Sequence, residues 1–193
     1  NGRLKSYPNW RQLDQGVLAY GYGVSVTAIQ LARAYMSIAN DGLIHSVQIV
    51  RTEDPPQARR AIKRSTARAV RNMLIRVVEH GTAKGAAIPG YSVAGKTGTV
   101  YKHTGKGYAD NQYMAIFVGM VPARRPRLVA AVVIDEPNSG EYFGGQVAAP
   151  IFGSVMREAT RILNIAPDHP LSSLPSTTDL ALRSNSPPPA GFH

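Results

Sequence analysis

The spacing of apolar residues along the chain predicts three amphipathic helices. One covers Thr27 to Ala39 and ends at the turn Asn40-Asp41-Gly42. A second begins with Ser65 as its cap and ends at Gly81, with its arginines facing solvent. Its inward positions are Val70, Met73, Leu74, Val77 and Val78. The third runs from about Val147 to Leu163 and carries these residues on one side: Ile151, Val155, Ala159 and Ile162.

Extended apolar runs in the second half of the chain predict an antiparallel sheet. Tyr113–Val121 and Leu128–Asp135 are separated by the short turn Pro122–Pro126, which is typical of an antiparallel hairpin. A more polar strand with two glycines, Tyr91–Val100, comes before them and is expected at the edge of the sheet. A glycine-rich excursion, 102–110, separates this strand from the hairpin. The pattern predicts an α+β fold in which helices pack on an antiparallel sheet.

The remaining chain is predicted to contain one short strand and a disordered tail. Ile44–Thr52 has the composition of a strand. From Pro167 onward prolines and serines dominate and the periodicity stops. We therefore expect one packed domain over residues 1–166 and a disordered tail over residues 167–193.

Composition excludes several classes of protein. The 193 residues suffice for one domain with a core, contain no cysteine, and include no apolar run of the roughly 20 residues that a membrane span needs. The formal charge of +10 suggests nucleic acid as a partner, but the basic residues are dispersed and no nucleic-acid-binding motif frames them. The five histidines show no metal-ligand spacing. We expect neither nucleic acid nor a metal site.

The segment Gly90–Thr99 fits two incompatible chemistries. Gly90–Thr97 satisfies the P-loop pattern G-x-x-x-x-G-K-[ST], and the acidic pair Asp135-Glu136 follows an apolar strand as a Walker B segment does. However, the P-loop mechanism needs a buried strand before the loop and a helix after it. Neither is predicted, because the preceding residues are short and broken and three glycines follow Thr97 within ten residues. The acidic pair is then a structural strand end before Pro137.

As a strand, the same segment suits the binding of an acyl donor. Its glycines allow another backbone to approach closely, Thr97 and Thr99 offer hydroxyls to a carboxylate, and Lys96 supplies a positive field. Strand alternation places both hydroxyls on one side and Lys96 on the other, behind them. An ordinary edge strand with an exposed lysine remains an equally good interpretation of these residues taken alone.

Beyond these residues, the chain resembles the C-terminal part of the transpeptidase domain of class B penicillin-binding proteins of the division (septal) type. The matching segments occur in the family's order between about residues 19 and 165. They are Ala19–Thr27, Gln30–Gly42, His80–Ala83, Ala94–Thr99, Ile134–Pro137, Tyr142–Gly145 and Ala149–Phe152.

The resemblance implies a fold like that of serine β-lactamases and an enzyme that cross-links peptidoglycan stem peptides and is acylated by β-lactams. It implies that Lys96 is catalytic and that no cofactor is needed. The expected substrate-binding residues are Thr97, Gly98, Thr99, Tyr113, Tyr142, Phe143, Gly144 and Gly145. Aromatic residues beside a double glycine would form a mobile rim over a cleft. The implied location is the periplasmic face of the bacterial inner membrane, among membrane proteins of the division complex.

The chain departs from the family in one respect, because it lacks the segment that carries the nucleophile. The family patterns S-x-x-K and S-x-N are both missing from the 193 residues. In the family these patterns precede the part that is matched here, so we expect a C-terminal fragment that is inactive alone and that partners the upstream part of the same polypeptide. An N-terminal anchor is expected in that upstream part. The alternatives are a P-loop NTPase and a non-catalytic module that binds the wall or a partner protein.

Overall fold

The computed structural model describes residues 2–4, 11–19, 21, 23–50, 53, 57–104, 107–138 and 140–169. Its helices are α1 (Gln12–Ala19), α2 (Ala28–Ala39), α3 (Arg64–Glu79) and α4 (Ala148–Ile162), with a short 3₁₀ turn at Lys84–Ala86. Its strands are β1 (Arg3–Leu4), β2 (Val24–Ser25), β3 (Leu43–Ile44), β4 (Arg59–Arg60), β5 (Ala94–Thr104), β6 (Gly107–Val121) and β7 (Leu128–Asp135). Among the described helices, none has the length and apolar character needed to cross a bilayer.

The main sheet is antiparallel with the order β5-β6-β7, which confirms the predicted α+β fold and the hairpin of the two apolar strands. β5 lies at an edge, as expected of the polar strand. The glycine-rich excursion at 102–110 was predicted wrongly, because β5 continues to Thr104 and β6 already begins at Gly107. The register shifts between Tyr101 and His103, after which His103 pairs with Tyr108 and Thr104 with Gly107.

Helices cover both faces of this sheet. Phe117 in β6 is fully buried and meets Phe152 of α4 edge to face, with the ring centroids 4.8 Å apart. The next residues of β6 alternate, so that Met120 packs on the opposite face with Leu74 of α3. The core therefore lies in two layers on either side of β6, and Ala94 of the edge strand β5 belongs to the layer that contains Met120.

The prediction for α2 is confirmed, including its boundaries. Thr27 caps the helix because its hydroxyl accepts from the Gln30 N–H at 3.2 Å, while the Gln30 side chain accepts from the Thr27 N–H at 2.9 Å. The predicted stop is formed by Asp41 and Gly42, whose φ values of 48° and 91° are left-handed.

Helices α3 and α4 lie where they were predicted, but some of the side chains predicted to be buried are exposed, and one predicted to be exposed is buried. Ser65 lies inside the first turn of α3, with Lys63 at the cap position. Met73 was predicted to face inward and is 65% exposed. Arg71 was predicted to face outward and is buried, because its guanidinium donates to the carbonyl oxygen of Ala39 at 3.2 Å.

The apolar side of α4 that the periodicity selected is not the side that packs. Ile151, Val155 and Ile162 are all exposed. The buried residues of this helix are Ala148, Ala149, Phe152, Gly153, Met156 and Thr160. Small residues let the helix approach the sheet closely, whereas sequence periodicity rewards large apolar side chains.

Two further predictions are corrected. Ile44–Thr52 is not a strand in its described part: only Leu43–Ile44 pairs, with β4, and Val47 and Ile49 are exposed. The packed domain also extends past residue 166. Asp168 accepts from the Ser92 N–H at 2.7 Å and from the Ser92 hydroxyl. Beyond His169 the predicted tail lies outside the described residues.

The turn after α2 predicts a pH-dependent contribution to stability. The carboxylate of Asp41 forms ion pairs with three guanidinium groups, those of Arg64 at 2.9 Å, Arg68 at 3.1 Å and Arg71 at 3.2 Å. Hydrogen bonding from Arg68 lowers the pKa of Asp41 to about 2, with smaller contributions from Arg64 and Arg71, although desolvation opposes the shift. Because the folded pKa lies below the ordinary 3.8, the stabilisation is complete above pH 4 and disappears as the pH falls toward 2.

We expect Asp41→Asn to lower the free energy of unfolding by about 1–2 kcal/mol at pH 7, a figure reduced for the partial exposure of the carboxylate. Asparagine accepts the left-handed backbone at this position, so the turn itself is kept. Urea unfolding of both proteins at pH 7 and at pH 2.5 measures the effect. A difference that persists unchanged at pH 2.5 contradicts the electrostatic origin.

Candidate functional site

The site predicted from the sequence lies along β5, whose outer edge has no paired strand among the described residues. Its two glycines serve different purposes. A Cβ on Gly95 would collide with the ring of Phe117, so core packing alone requires this glycine. A Cβ on Gly98 would meet only the Cβ of Ile116, at an ordinary 3.5 Å. Packing against the described residues therefore does not require glycine at position 98, and a glycine within a strand often marks a close approach by another backbone or a ligand.

The two threonine hydroxyls lie on one face of β5, as strand alternation predicted. Thr97 is paired with Phe117 and Thr99 with Ala115. The Thr97 hydroxyl lies 3.0 Å from the hydroxyl of Thr82, in the loop after α3. The Thr99 hydroxyl accepts from the N–H of Gly144 at 3.0 Å. A hydroxyl that accepts one hydrogen bond still has its own hydrogen to donate, so Thr99 remains able to bind a carboxylate oxygen.

Lys96 places a positive charge beside these hydroxyls. Its partner in the register is Val118, on the other face of the sheet, and its side chain is exposed. The ammonium nevertheless bends back toward the threonine, since Nζ lies 3.0 Å from the carbonyl oxygen of Thr97 and 3.4 Å from its Oγ1. Within four consecutive residues, 96–99, the strand thus presents a cation, two hydroxyls and an edge that has no paired strand in the described part of the chain.

Gly144 and Gly145 are needed for close packing rather than for unusual backbone angles. Neither is among the residues with positive φ. A Cβ on Gly144 would collide with the carbonyl oxygen of Ile116, and one on Gly145 with that of Thr82. These glycines press the chain onto β5 and β6.

Aromatic side chains form a continuous row next to this strand. Tyr101 contacts Tyr113 with ring centroids 4.8 Å apart, Tyr113 stacks on Tyr142 at 4.2 Å, and Tyr142 contacts Phe143 at 4.4 Å. A hydrogen bond with Tyr101 raises the pKa of Tyr113 to about 12, so the Tyr113 ring is uncharged at neutral pH. Phe143 is half exposed at the end of the row. The predicted aromatic residues are thus brought together beside the hydroxyls.

The P-loop alternative is wrong. Lys96 and Thr97 lie inside β5, where the backbone is extended and paired with β6, and no helix begins after them. The N–H groups of a helix N-terminus, which would hold the phosphates, are therefore not supplied here. Asp135 and Glu136 bind the ammonium of Lys102. They act as structural strand-end acids.

Three neighbours of the site were not selected from the sequence. Tyr101 could have been found, because it continues the alternation of Thr97 and Thr99 along the same face. Thr82 lies in the matching segment His80–Ala83 but was not chosen as a site residue, and its contact with Thr97 joins residues apart in the chain, as does the contact of Lys102 with Asp135.

One edge strand thus brings together an ammonium, two hydroxyls and a row of aromatic side chains. The sequence matches the family described as penicillin binding protein transpeptidase domain over residues 1–157, and the chain belongs to this family. The resemblance seen in the motifs is thereby confirmed.

Several relatives support this assignment. The chain is 41% identical to a probable peptidoglycan D,D-transpeptidase PenA from Neisseria meningitidis, over 89% of this chain and 30% of that protein. It is 38% identical to the peptidoglycan D,D-transpeptidase FtsI of Escherichia coli, over 87% of this chain and 29% of that protein. Its fold matches the apo transpeptidase domain of Burkholderia pseudomallei penicillin-binding protein 3, with a TM-score of 0.81 and 49% identity over 88% of this chain.

The chain spans only part of these relatives. It covers about 30% of the curated PenA and FtsI proteins and 52% of the solved Burkholderia domain. The family assignment therefore does not by itself establish what this part of the chain contributes to catalysis.

Proposed function

We propose that this chain forms the substrate-strand half of a serine-type peptidoglycan D,D-transpeptidase that acts in septal wall synthesis. The single observation that carries the proposal is the combination on β5 of a glycine unexplained by packing, Gly98, with the hydroxyls of Thr97 and Thr99 and the ammonium of Lys96. The family relationship supplies the reaction type.

In the proposed complex, the D-Ala-D-Ala end of a stem peptide lies along β5 and adds main-chain hydrogen bonds to its free edge. The terminal carboxylate accepts from the hydroxyls of Thr97 and Thr99. Gly98 has no side chain to keep the peptide away, and the row from Tyr101 to Phe143 covers apolar parts of the ligand. Gly144 and Gly145 hold that row against the strand.

The chemistry is shared with a serine that this chain does not supply in the family's S-x-x-K pattern. The serine oxygen forms a bond to the carbonyl carbon of the penultimate D-alanine, the C–N bond breaks, and the serine proton ends on the released D-alanine. A neighbouring peptide amine then forms a bond to the same carbonyl carbon, the bond from that carbon to the serine oxygen breaks, and the amine proton ends on the serine oxygen. Lys96 stabilises the negative charge that develops and assists the proton transfer. β-Lactams occupy the same strand and are held as acyl-enzymes.

The proposal includes the setting of the enzyme. The parent polypeptide would work at the periplasmic face of the inner membrane, anchored by a segment outside the 193 residues, together with membrane proteins of division. The FtsI relative supports the division role.

A chimeric domain tests the proposal. The chain replaces the matching segment of the Burkholderia transpeptidase domain, which is 49% identical to it. Intact-mass spectrometry after incubation with a penicillin should show one adduct on the folded chimera and none on the 193-residue chain alone. An adduct on the chain alone would place a nucleophile within it. A folded chimera that is never acylated would refute the role given to β5.

A further inference from the structure

Lys102 connects β5, the proposed substrate strand, to the far edge of the sheet. Its ammonium lies 3.0 Å from the Asp135 carboxylate and 2.5 Å from that of Glu136, so it crosses over β6 to reach the end of β7. Its side chain is 34% exposed, less than either carboxylate. Hydrogen bonds with Glu136 and then Asp135 raise the pKa of Lys102.

Glu136 is the residue at which the chain turns away from the sheet. It has a φ of 50°, which is uncommon for a residue with a side chain and persists where neighbouring contacts maintain it. Two contacts do so. Its N–H donates to the carbonyl oxygen of Tyr113 at 2.9 Å, and its carboxylate binds Lys102. Asparagine, aspartate or glycine, the usual residues for such a backbone, are not used here, so the side-chain contact accounts for the choice of glutamate.

The same residues hold the aromatic row. Tyr113, whose carbonyl oxygen receives Glu136, stacks its ring on Tyr142. A few residues after this turn the chain returns to β5, where the Gly144 N–H donates to Thr99. The chain between Glu136 and Gly144 is thus attached to the substrate strand at both ends, through Lys102 and through Thr99.

We propose that Lys102 is a positioning residue that fixes the turn at Glu136 and thereby holds Tyr142 and Phe143 beside the ligand-binding face of β5. It touches neither the ligand nor the reacting atoms. The part of this proposal that concerns ligands rests on the proposed function, whereas the part that concerns the order of the turn does not. The competing explanation is a surface ion pair of little consequence, as most exposed pairs are.

Two variants and a matched control separate these explanations. Lys102→Met keeps most of the stem and removes the charge, and Lys102→Arg restores a cation that can bind both carboxylates. Arg161→Met is the control, because it removes an exposed ion pair, with Glu158 at 2.9 Å, that lies within α4. All four proteins are first compared by thermal unfolding, which Lys102→Met should leave nearly unchanged.

Hydrogen exchange on the full chain provides the first measurement. In Lys102→Met, the amides of Glu136 and Gly144 should exchange about five- to tenfold faster, because local opening of the turn is no longer opposed by the ion pair. Lys102→Arg should restore most of the protection, and Arg161→Met should not alter it. Raising the salt concentration should reproduce the effect in the wild type and add little in Lys102→Met. Unchanged protection at both amides would overturn the proposal.

Acylation of the chimeric domain provides the second measurement. Lys102→Met should slow acylation by β-lactams with bulky aromatic side chains about threefold more than by those with small ones, and Phe143→Ala should give the same preference as a reference. Equal slowing of all β-lactams would overturn the ligand part of the proposal. If the wild-type chimera is not acylated at all, the proposed function fails, and the exchange result still decides whether Lys102 orders the turn.

Discussion

Replacing Lys96 with alanine in the chimeric domain should slow acylation by penicillin at least about tenfold. The ammonium lies 3.4 Å from the Thr97 hydroxyl and next to the position that the ligand carboxylate would occupy. A hydrogen bond to a charged group contributes about 1.5–3 kcal/mol, and about 1.4 kcal/mol corresponds to a factor of ten in rate. Folding should be preserved, because the side chain is exposed at an edge of the sheet.

The second-order rate constant of acylation, measured with a fluorescent penicillin, checks this prediction. Lys63→Ala is the matched control, since it removes an exposed lysine at the start of α3 that makes no side-chain capping bond. Lys96→Arg keeps the charge but not the compact shape of the ammonium and should recover only part of the rate. If Lys96→Ala and Lys63→Ala are acylated equally fast, Lys96 is only a surface residue of an edge strand.

The second large effect concerns Phe117, which joins the core to the substrate strand. Its ring is fully buried, meets Phe152, and fills the space that Gly95 and Gly119 leave open. Truncating a buried phenylalanine to alanine removes apolar contacts and leaves a cavity, which together cost about 3–5 kcal/mol. Phe117→Ala should therefore lower the free energy of unfolding by that amount. Because Phe117 lies opposite Thr97, acylation of the chimera should also decrease under conditions where the variant remains folded.

Urea unfolding measures the loss, with Met73→Ala as the control. Met73 is a large apolar residue that the helical period placed inside and the structure places outside. Its truncation should change the free energy of unfolding by no more than about 0.5 kcal/mol. Comparable losses for the two variants would contradict the exposed position of Met73 on α3. A loss below about 1 kcal/mol for Phe117→Ala would contradict the place of Phe117 in the core.

Prediction from sequence succeeded where one local interaction dominates. The capping box of Thr27 and Gln30 marks the start of α2, and the left-handed Asp41 and Gly42 mark its end. The hairpin of β6 and β7 follows from two apolar runs and a short turn. These features depend on neighbours in the chain, so a local pattern describes them well.

Prediction from sequence failed where the local pattern did not decide which side of a helix is buried. The side of α4 that packs is rich in small residues, and only the sheet beneath the helix rewards their close approach. Arg71 is buried because the carbonyl oxygen of Ala39 and the carboxylate of Asp41 lie within its reach, on a turn that ends another helix. Periodicity counts apolar side chains and contains no information about such partners.

The candidate site divides in the same way. The sequence by itself determined the strand that carries Lys96, Thr97, Gly98 and Thr99 and the alternation of its side chains, because the period of a strand is a property of its own backbone. Only the tertiary structure showed that core packing requires glycine at position 95 and does not require it at position 98. It also decided that Thr99 accepts from Gly144 and that Lys102 reaches Glu136, since these contacts join residues that are distant in the chain and meet only after the sheet has formed.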